Sequence, residues 1–229
     1  MKQHLKRLAS PKTWPIKRKE NVWIARSNPG SHSLDNSIPI LILLRDVLKI
    51  AKNKKEVKYI LNNKLIKVNN RAVKDVRFPV GLFDIIFIEK ENKIYRLVFN
   101  KKRKLIPIEI DKKESNLLLL KIRDKRLIKK GIIQLNFTNG WSLNVTKKDY
   151  SPKDSVVLDL NSNKIVDHLP LKEGNLAFIT GGKHVGSVVN IKEVKDKIIL
   201  ESDKKTWTGV PEYIFVIGKK TPIIKLNQK

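Results

Sequence analysis

An alternation of apolar and polar residues predicts a β-hairpin beyond the middle of the chain. Apolar side chains occupy every second position in 133–137 and again in 141–145. Asn139 and Gly140 lie between the two runs, and an Asn-Gly pair favours the tight turns that join antiparallel strands. One face of this hairpin should therefore be buried. The same reasoning predicts a second hairpin over 156–166, with its turn at an Asn-Ser-Asn sequence.

Helical spacing is confined to a short stretch that begins near residue 38. Pro39 suits the first turn of a helix, and the leucines after it recur at intervals of three or four residues. Asn53, with Glu56 three residues later, resembles a capping box and predicts a second helix. Strands are expected at 65–68 and, as a pair joined by a turn, over 85–99. This part of the chain should form a small α+β unit.

The final quarter of the chain contains short apolar runs that predict a closed β structure. The runs lie at 176–179, 185–191, 198–200, 207–210 and 213–217. Two glycines at 181–182 and a Lys-Asp-Lys sequence at 195–197 predict turns between the earlier strands.

The expected fold class is therefore α+β and β-rich, with several small domains. The predicted divisions are a basic N-terminal extension (1–37), the α+β unit (38–100), a central β-rich domain (101–170), a small barrel (171–218) and a short tail (219–229).

The net charge of the chain limits the kinds of molecule that it is expected to bind. The chain has 229 residues, with 49 Lys and Arg against 22 Asp and Glu, which gives a formal net charge of +27. Such an excess repels itself in a folded protein, and a polyanion such as RNA offsets the repulsion while counterions are released. No apolar run approaches the roughly 18 residues that a membrane-spanning helix needs. We therefore expect a soluble, cytoplasmic protein with no membrane partner.

The first 37 residues combine cations with aromatic residues. Prolines and a glycine interrupt any long helix, and the acidic residues are Glu20 and Asp35. Trp14 and Trp23 lie among the cations, which suits contact with an RNA backbone together with base stacking. The alternative is that the two indoles anchor the tail to its own domain. The cations are Lys2, Lys6, Arg7, Lys12, Lys17, Arg18, Lys19 and Arg26.

No pattern of residues suggests catalysis or a bound metal. The chain lacks cysteine, which excludes disulfides and cysteine-ligated zinc. The four histidines show none of the spacings of metal-binding motifs, and no cofactor is expected. The sequence Gly-Gly-Lys-His-Val-Gly at 181–186 departs from the P-loop because its lysine precedes the last glycine. Either this turn presents Lys183 and His184 to a phosphate backbone, or it is an ordinary turn of a barrel.

Several motifs also occur in a particular order along the chain. They are His4-Leu5-Lys6-Arg7-Leu8-Ala9-Ser10-Pro11 with Trp14 after it, Pro29-Gly30-Ser31-His32, Leu44-Arg45-Asp46-Val47-Leu48, and the segments 64–71, 78–84, 174–177, 180–186 and 214–218. Together they resemble the e-type protein four of the small ribosomal subunit, in its archaeal form.

The resemblance implies a three-part protein with an alpha-L-type RNA-binding unit, a central β domain and a C-terminal SH3-like barrel of the KOW type. It also implies a structural role in translation, in contact with small-subunit rRNA and neighbouring ribosomal proteins. Neither catalysis nor a small-molecule substrate is implied. By position, Arg45 and the loop 52–55 should face RNA on the first unit, and Lys183 and His184 on the barrel.

The residues expected to contact RNA come from the extension, the alpha-L-type unit, a basic loop that starts at residue 101, and the barrel. They are Lys2, His4, Lys6, Arg7, Lys12, Trp14, Lys17, Arg18, Lys19, Trp23, Arg26, His32, Arg45, Lys52, Lys54, Lys55, Lys101, Lys102, Arg103, Lys104, Lys183 and His184.

Two other functions fit parts of the sequence. A free RNA-binding factor, such as an elongation or maturation factor built from the same modules, would associate with ribosomes reversibly and below one copy per ribosome. An RNA-modifying enzyme would need a catalytic domain of roughly 100–200 residues. The central region is shorter than that and contains no catalytic motif. Charge and aromatic pattern alone indicate RNA binding, and only the resemblance indicates the ribosome.

Overall fold

The computed structural model describes residues 4–128, 131–146, 149–194, 198–202, 205–219 and 221–226. The chain divides into two compact units. Unit 1 comprises Met1–Phe99 and Arg103–Ser115, and unit 2 comprises Asn100–Lys102 and Asn116–Lys229. Antiparallel sheets dominate both units, as the expected β-rich class requires. In the part of the chain that the structure describes, no helix has the length and apolar character needed to cross a membrane.

Unit 1 contains the two α-helices found among the described residues. Its elements are β1 (His4–Lys6), β2 (Trp23–Ala25), β3 (Ser37–Pro39), α1 (Ile40–Ile42) with a π-helical turn (Leu43–Val47), α2 (Lys54–Asn62), β4 (Ile66–Val68), β5 (Arg71–Ala72), β6 (Pro79–Gly81), β7 (Ile85–Ile88), β8 (Lys93–Phe99) and β9 (Leu105–Glu109). The pairs β1-β2 and β3-β6 form two-stranded sheets, and a five-stranded sheet has the order β5-β4-β7-β8-β9. Because β9 pairs with β8, this sheet continues past residue 100.

The capping box predicted before α2 is confirmed in part. The Asn53 side chain accepts a hydrogen bond from the Glu56 N–H at 2.9 Å, which satisfies one of the unpaired donors at the start of the helix. The Glu56 carboxylate accepts from the Lys52 N–H instead of the Asn53 N–H. Asn69 and Asn70, at the predicted turn between β4 and β5, both have positive φ angles, a conformation that asparagine tolerates better than most residues.

The first predicted helix is shorter and less regular than its sequence suggests. A single α-helical turn passes into a π-helical turn, in which the Leu48 N–H donates to the carbonyl of Leu43, five residues earlier. The apolar stripe still packs inward, because Leu41, Leu43 and Leu44 are all buried. The local backbone geometry therefore changes while the buried face is kept.

The N-terminal segment packs into unit 1. Trp14 is 1% exposed, and its indole N–H donates to the carbonyl of Ser37 at 2.6 Å. The Leu105 N–H donates to the carbonyl of Thr13, which connects the segment to β9. Of the two alternatives for the indoles, the anchoring role is the one that applies to Trp14.

Unit 2 contains two five-stranded antiparallel sheets. The first has the order β12-β11-β10-β13-β14, and the second has the order β18-β17-β16-β15-β19. The strands are β10 (Leu117–Leu127), β11 (Ile133–Phe137), β12 (Ser142–Val145), β13 (Ser155–Asp159), β14 (Lys164–Leu169), β15 (Leu176–Ile179), β16 (Val188–Val194), β17 (Ile198–Ser202), β18 (Lys205–Gly209) and β19 (Ile214–Gly218).

Both predicted hairpins are confirmed, with one difference in the first. The Phe137 N–H donates to the carbonyl of Trp141, so three residues and not two form the loop between β11 and β12. Gly140 has a φ of +77°, while Asn139 is not among the residues with positive φ. This is the geometry of a three-residue hairpin loop that ends on a left-handed glycine. The turn predicted at 195–197 lies outside the described residues.

The two sheets of unit 2 meet at a buried lysine on β10. Lys121 is 4% exposed, and its ammonium group donates to the carbonyls of Pro211, Glu212 and Ile214 at 2.6–3.0 Å. Burial lowers the pKa of Lys121 to about 8. The shift shows that burying this cation costs free energy, and three hydrogen bonds to carbonyl oxygens offset that cost.

Candidate nucleic-acid interface

His32 of the Pro-Gly-Ser-His sequence belongs to a buried polar network in unit 1. The His32 Nε2 atom lies 2.9 Å from the Asp84 carboxylate, which also accepts hydrogen bonds from the Gly81 N–H and the Asn69 amide, both at 2.8 Å. Burial lowers the pKa of His32, but the charge and hydrogen bond of Asp84 outweigh it and leave that pKa raised. A Cβ atom on Gly81 would lie 2.3 Å from the His32 ring. These motif residues therefore hold the fold of unit 1.

Three residues expected to contact RNA have side chains buried inside unit 1, which leaves little of each side chain accessible to a ligand. Trp14 packs in the core, so its rings are not available to stack on a base. Arg7 is 2% exposed and donates to the Lys17 carbonyl and to Glu20. The side chain of His32 is 7% exposed within the network of Asp84. Hydropathy patterns alone could not reveal this, because each burial depends on a distant partner.

Arg18 also serves the fold. Its guanidinium donates to the carbonyls of Leu8, Ser10 and Pro11, all in an irregular segment. Removing Arg18 would therefore disturb the backbone of the N-terminal segment as well as its charge.

Several cations of unit 1 line a cleft of about 680 Å³. One wall comes from the N-terminal segment, and the other comes from the π-helical turn and the residues after it. We call it the basic cleft, and its charged lining residues are Arg7, Lys17, Glu20, Arg45, Asp46, Lys49 and Lys52. Five cations against two carboxylates give the lining an excess of positive charge.

Ion pairs inside the basic cleft leave two lysines available. Glu20 lies 3.3 Å from both Arg7 and Lys17, and Asp46 accepts two hydrogen bonds of 2.9 Å from Arg45. Within the described part of the chain, the ammonium groups of Lys49 and Lys52 have no hydrogen bond or ion pair. Both lysines are exposed at the cleft. Two uncompensated ammonium groups beside an open concavity suit the oxygens of a phosphate backbone.

Of the five cations that line the basic cleft, the sequence pointed to Arg7, Lys17, Arg45 and Lys52 but not to Lys49. Lys49 follows the π-helical turn and has a φ of +57°. A lysine in the left-handed region has no simple sequence signal, since asparagine and glycine are the residues usually associated with it.

A second group of predicted residues lies on the β1-β2 ribbon. The rings of His4 and Trp23 meet edge to face at a centroid distance of 5.6 Å, and Trp23 remains 55% exposed. Lys6 is exposed and lies opposite Trp23 in the strand register. Trp23 is therefore the indole of the N-terminal segment that is available for stacking, in contrast to Trp14.

A third group lies on unit 2, at the turn 181–186, which we call the Lys-His turn. A Cβ atom on Gly181 would lie 2.5 Å from the Tyr213 ring, and one on Gly186 would lie 2.6 Å from the backbone of Asn100. The glycines thus permit close contact on two sides, and Gly186 also has a φ of +79°. Since Asn100 is held against Gly186, the exposed Lys101 and Lys102 that follow it come close to the Lys-His turn.

His184 stacks on an aromatic residue that the sequence did not single out. Its ring lies 4.3 Å from that of Trp207, centroid to centroid, with 18° between the planes. Lys183 is exposed beside it. Trp207 belongs to β18, 23 residues away, so only the fold reveals this pairing.

The other predicted contacts lie outside these three groups. Lys12, Lys19, Lys54, Lys55 and Arg103 are exposed, whereas Arg26 and Lys104 are half-buried. Lys2 is outside the described residues. Among the residues that the structure describes, no group of three or more His, Asp or Glu side chains could hold a metal ion.

Comparison with known proteins places these features in a family. A model of the ribosomal family S4e matches residues 91–165, and a model of the RS4NT (NUC023) domain matches residues 1–35. The small ribosomal subunit protein eS4 of Methanosphaera stadtmanae is 39% identical over 98% of this chain and 96% of its own length. The chain belongs to the ribosomal S4e family.

Other S4e relatives agree with this assignment. The small ribosomal subunit protein eS4 of Archaeoglobus fulgidus is 38% identical over 98% of each chain. The crystal structure of the 30S ribosomal protein S4e from Thermoplasma acidophilum superposes with a TM-score of 0.71 at 27% identity, covering 81% of this chain and 96% of that one. The family expected from the ordered motifs is confirmed, and the β-rich architecture is shared with a solved S4e protein.

Proposed function

We propose that this S4e protein is a structural component of the small ribosomal subunit, where it binds and stabilises small-subunit rRNA. Membership of a ribosomal family over nearly the full chain supports the ribosomal role. The single structural observation that supports RNA contact is the basic cleft, whose Lys49 and Lys52 have no acidic partner in the described structure. The proposed role is non-catalytic and cytoplasmic, with neighbouring ribosomal proteins as further partners.

We also propose a separate role for each of three parts of the chain. The part of unit 1 from residue 38 onward would act as an alpha-L-type RNA-binding unit, the sheet of β10 to β14 as a central β domain and the sheet of β15 to β19 as a KOW-type SH3-like barrel. The lysines and arginines supply sequence-independent contacts to phosphates, which fix position on the RNA. Trp23 on the exposed β1-β2 ribbon supplies a surface on which a splayed base can stack.

Neutralising the two available lysines of the basic cleft tests the proposal. We expect the Lys49→Gln/Lys52→Gln variant to bind purified small-subunit rRNA more weakly. The slope of log affinity against log salt should become shallower by about 2, since each lost phosphate contact removes roughly one unit. Filter binding at about 50 to 300 mM salt measures both the affinity for rRNA and its salt slope.

A matched variant separates a local contact from the effect of net charge. Lys112→Gln/Lys113→Gln removes the same charge from an exposed turn of unit 1, away from the lining of the basic cleft. It should change the salt slope by much less than two units. Equal slopes for both variants would show that the cleft makes no particular contact and would contradict the proposal.

A further inference from the structure

The rings of His184 and Trp207 stack at the edge of a sheet in unit 2. Trp207 lies on β18, an edge strand, opposite Leu200 of β17. Its indole N–H is buried and has no acceptor among the described residues. Burying an unpaired donor costs free energy. Phenylalanine has no such donor, so packing alone does not explain an indole at this position.

The Lys-His turn holds His184 in place over that face. Gly181 allows the Tyr213 ring to pack against the backbone, and Gly186 allows the backbone of Asn100 to approach from another side. A Cβ atom on Gly182 would meet nothing within 4 Å, so the tip of the turn is open. His184 is half-buried at this tip. One face of its ring is covered by Trp207, and its remaining exposed area is available to a ligand.

Cations surround the stacked pair. Lys183 is the sequence neighbour of His184, Lys205 precedes Trp207 by two residues, and the loop with Lys101 and Lys102 adjoins the turn through Gly186. All four lysines are exposed. Aromatic rings within a set of lysines are the arrangement that binds single-stranded nucleic acid, because the rings stack on bases while the cations contact phosphates.

We propose that an unpaired nucleobase of the bound RNA stacks on the exposed face of His184, whose ring is supported from behind by Trp207. The inference rests on the proposed RNA binding and adds the class of ligand at the Lys-His turn, a base displayed by a single-stranded loop or bulge. A duplex cannot use this site in the same way, because the faces of its bases are already stacked on one another.

Substitution of His184 in the full chain tests the stack. Stacking of one base is worth roughly 1–3 kcal/mol, so His184→Ala should weaken binding of a 12-nucleotide single-stranded RNA by about 5- to 150-fold. The salt slope should stay the same, because no phosphate contact is lost. His184→Phe keeps an aromatic face and should bind within about twofold of the wild type. A 12-base-pair RNA duplex should bind wild type and both variants alike.

Crosslinking gives a second measurement that does not depend on how the variants fold. Single-stranded RNA that carries 4-thiouridine should crosslink to the wild-type peptide containing His184 or the one containing Trp207. Crosslinks found only elsewhere, or an equal effect of His184→Ala on single strand and duplex, would overturn the stack. A shallower salt slope for His184→Ala would do the same by showing a phosphate contact. Failure of the wild type to bind any RNA would instead refute the proposed function.

Discussion

Replacing Lys121 by methionine should lower the free energy of unfolding of unit 2 by about 3 kcal/mol. The Lys121 ammonium is buried and donates to the carbonyls of Pro211, Glu212 and Ile214. Methionine has a similar volume, but it leaves three carbonyls without this donor, at roughly 1 kcal/mol or more each. Relief of the buried charge offsets only part of this loss. Hydrogen exchange read by mass spectrometry on peptides of unit 2 measures the effect separately from unit 1.

An exposed residue on the same strand provides the control. Arg126 also lies on β10, and its side chain is 72% exposed. Arg126→Met should change the free energy of unfolding of unit 2 by no more than about 0.5 kcal/mol. A similarly small effect for Lys121→Met would contradict the view that this lysine joins the two sheets of unit 2.

Replacing Asp84 by alanine should destabilise unit 1 by about 4 kcal/mol, since removal of one member of a buried ion pair typically costs 3–5 kcal/mol. The Asp84 carboxylate accepts hydrogen bonds from His32, Asn69 and the Gly81 N–H. Alanine leaves all three donors unpaired in the interior of the unit. Urea unfolding followed by hydrogen exchange in peptides of unit 1 gives the change. Asp35→Ala, at an exposed position of the same unit, should have little effect.

The ion pair of His32 and Asp84 makes the stability of unit 1 depend on pH. The pKa of His32 is raised in the folded state. Its ion pair with Asp84 therefore contributes fully to the stability of unit 1 below the unfolded pKa of about 6.5, and this contribution is lost as pH rises through the folded pKa. Wild-type unit 1 should therefore become less stable across that interval, in which the unfolded state has released the proton that the folded state retains. Asp84→Ala should lack this component. A wild-type profile that is flat over the interval would show that His32 is not held in its charged form.

Local sequence rules predicted those elements whose geometry is set within a few residues. Asn53 caps α2 because its own side chain reaches the N–H of Glu56. The turn at Asn69 and Asn70 follows from the tolerance of asparagine for positive φ. The hairpin of β11 and β12 follows from alternation, although its loop has three residues and not two, because Gly140 but not Asn139 takes the left-handed conformation.

Long-range contacts explain what the sequence could not predict. Trp14 was expected at the surface because it lies among cations, but its partner Ser37 is 23 residues away. Lys121 lies in an apolar run between Leu120 and Ile122, but the sequence does not show that its ammonium group meets carbonyls about 90 residues further on. The stacking of His184 on Trp207 likewise depends on how β18 is placed against the Lys-His turn. The types of residue at the candidate interface were thus predictable, and their grouping was not.

The central claim is that this S4e protein is an integral part of the small ribosomal subunit. Sedimentation of a native extract through a high-salt sucrose gradient, with the protein quantified against small-subunit rRNA, tests it most directly. We predict about one copy per small subunit after the wash, because an integral component stays in the folded subunit at salt concentrations that release factors held by phosphate contacts alone. Recovery of the protein at the top of the gradient would contradict the claim and would indicate a free RNA-binding factor.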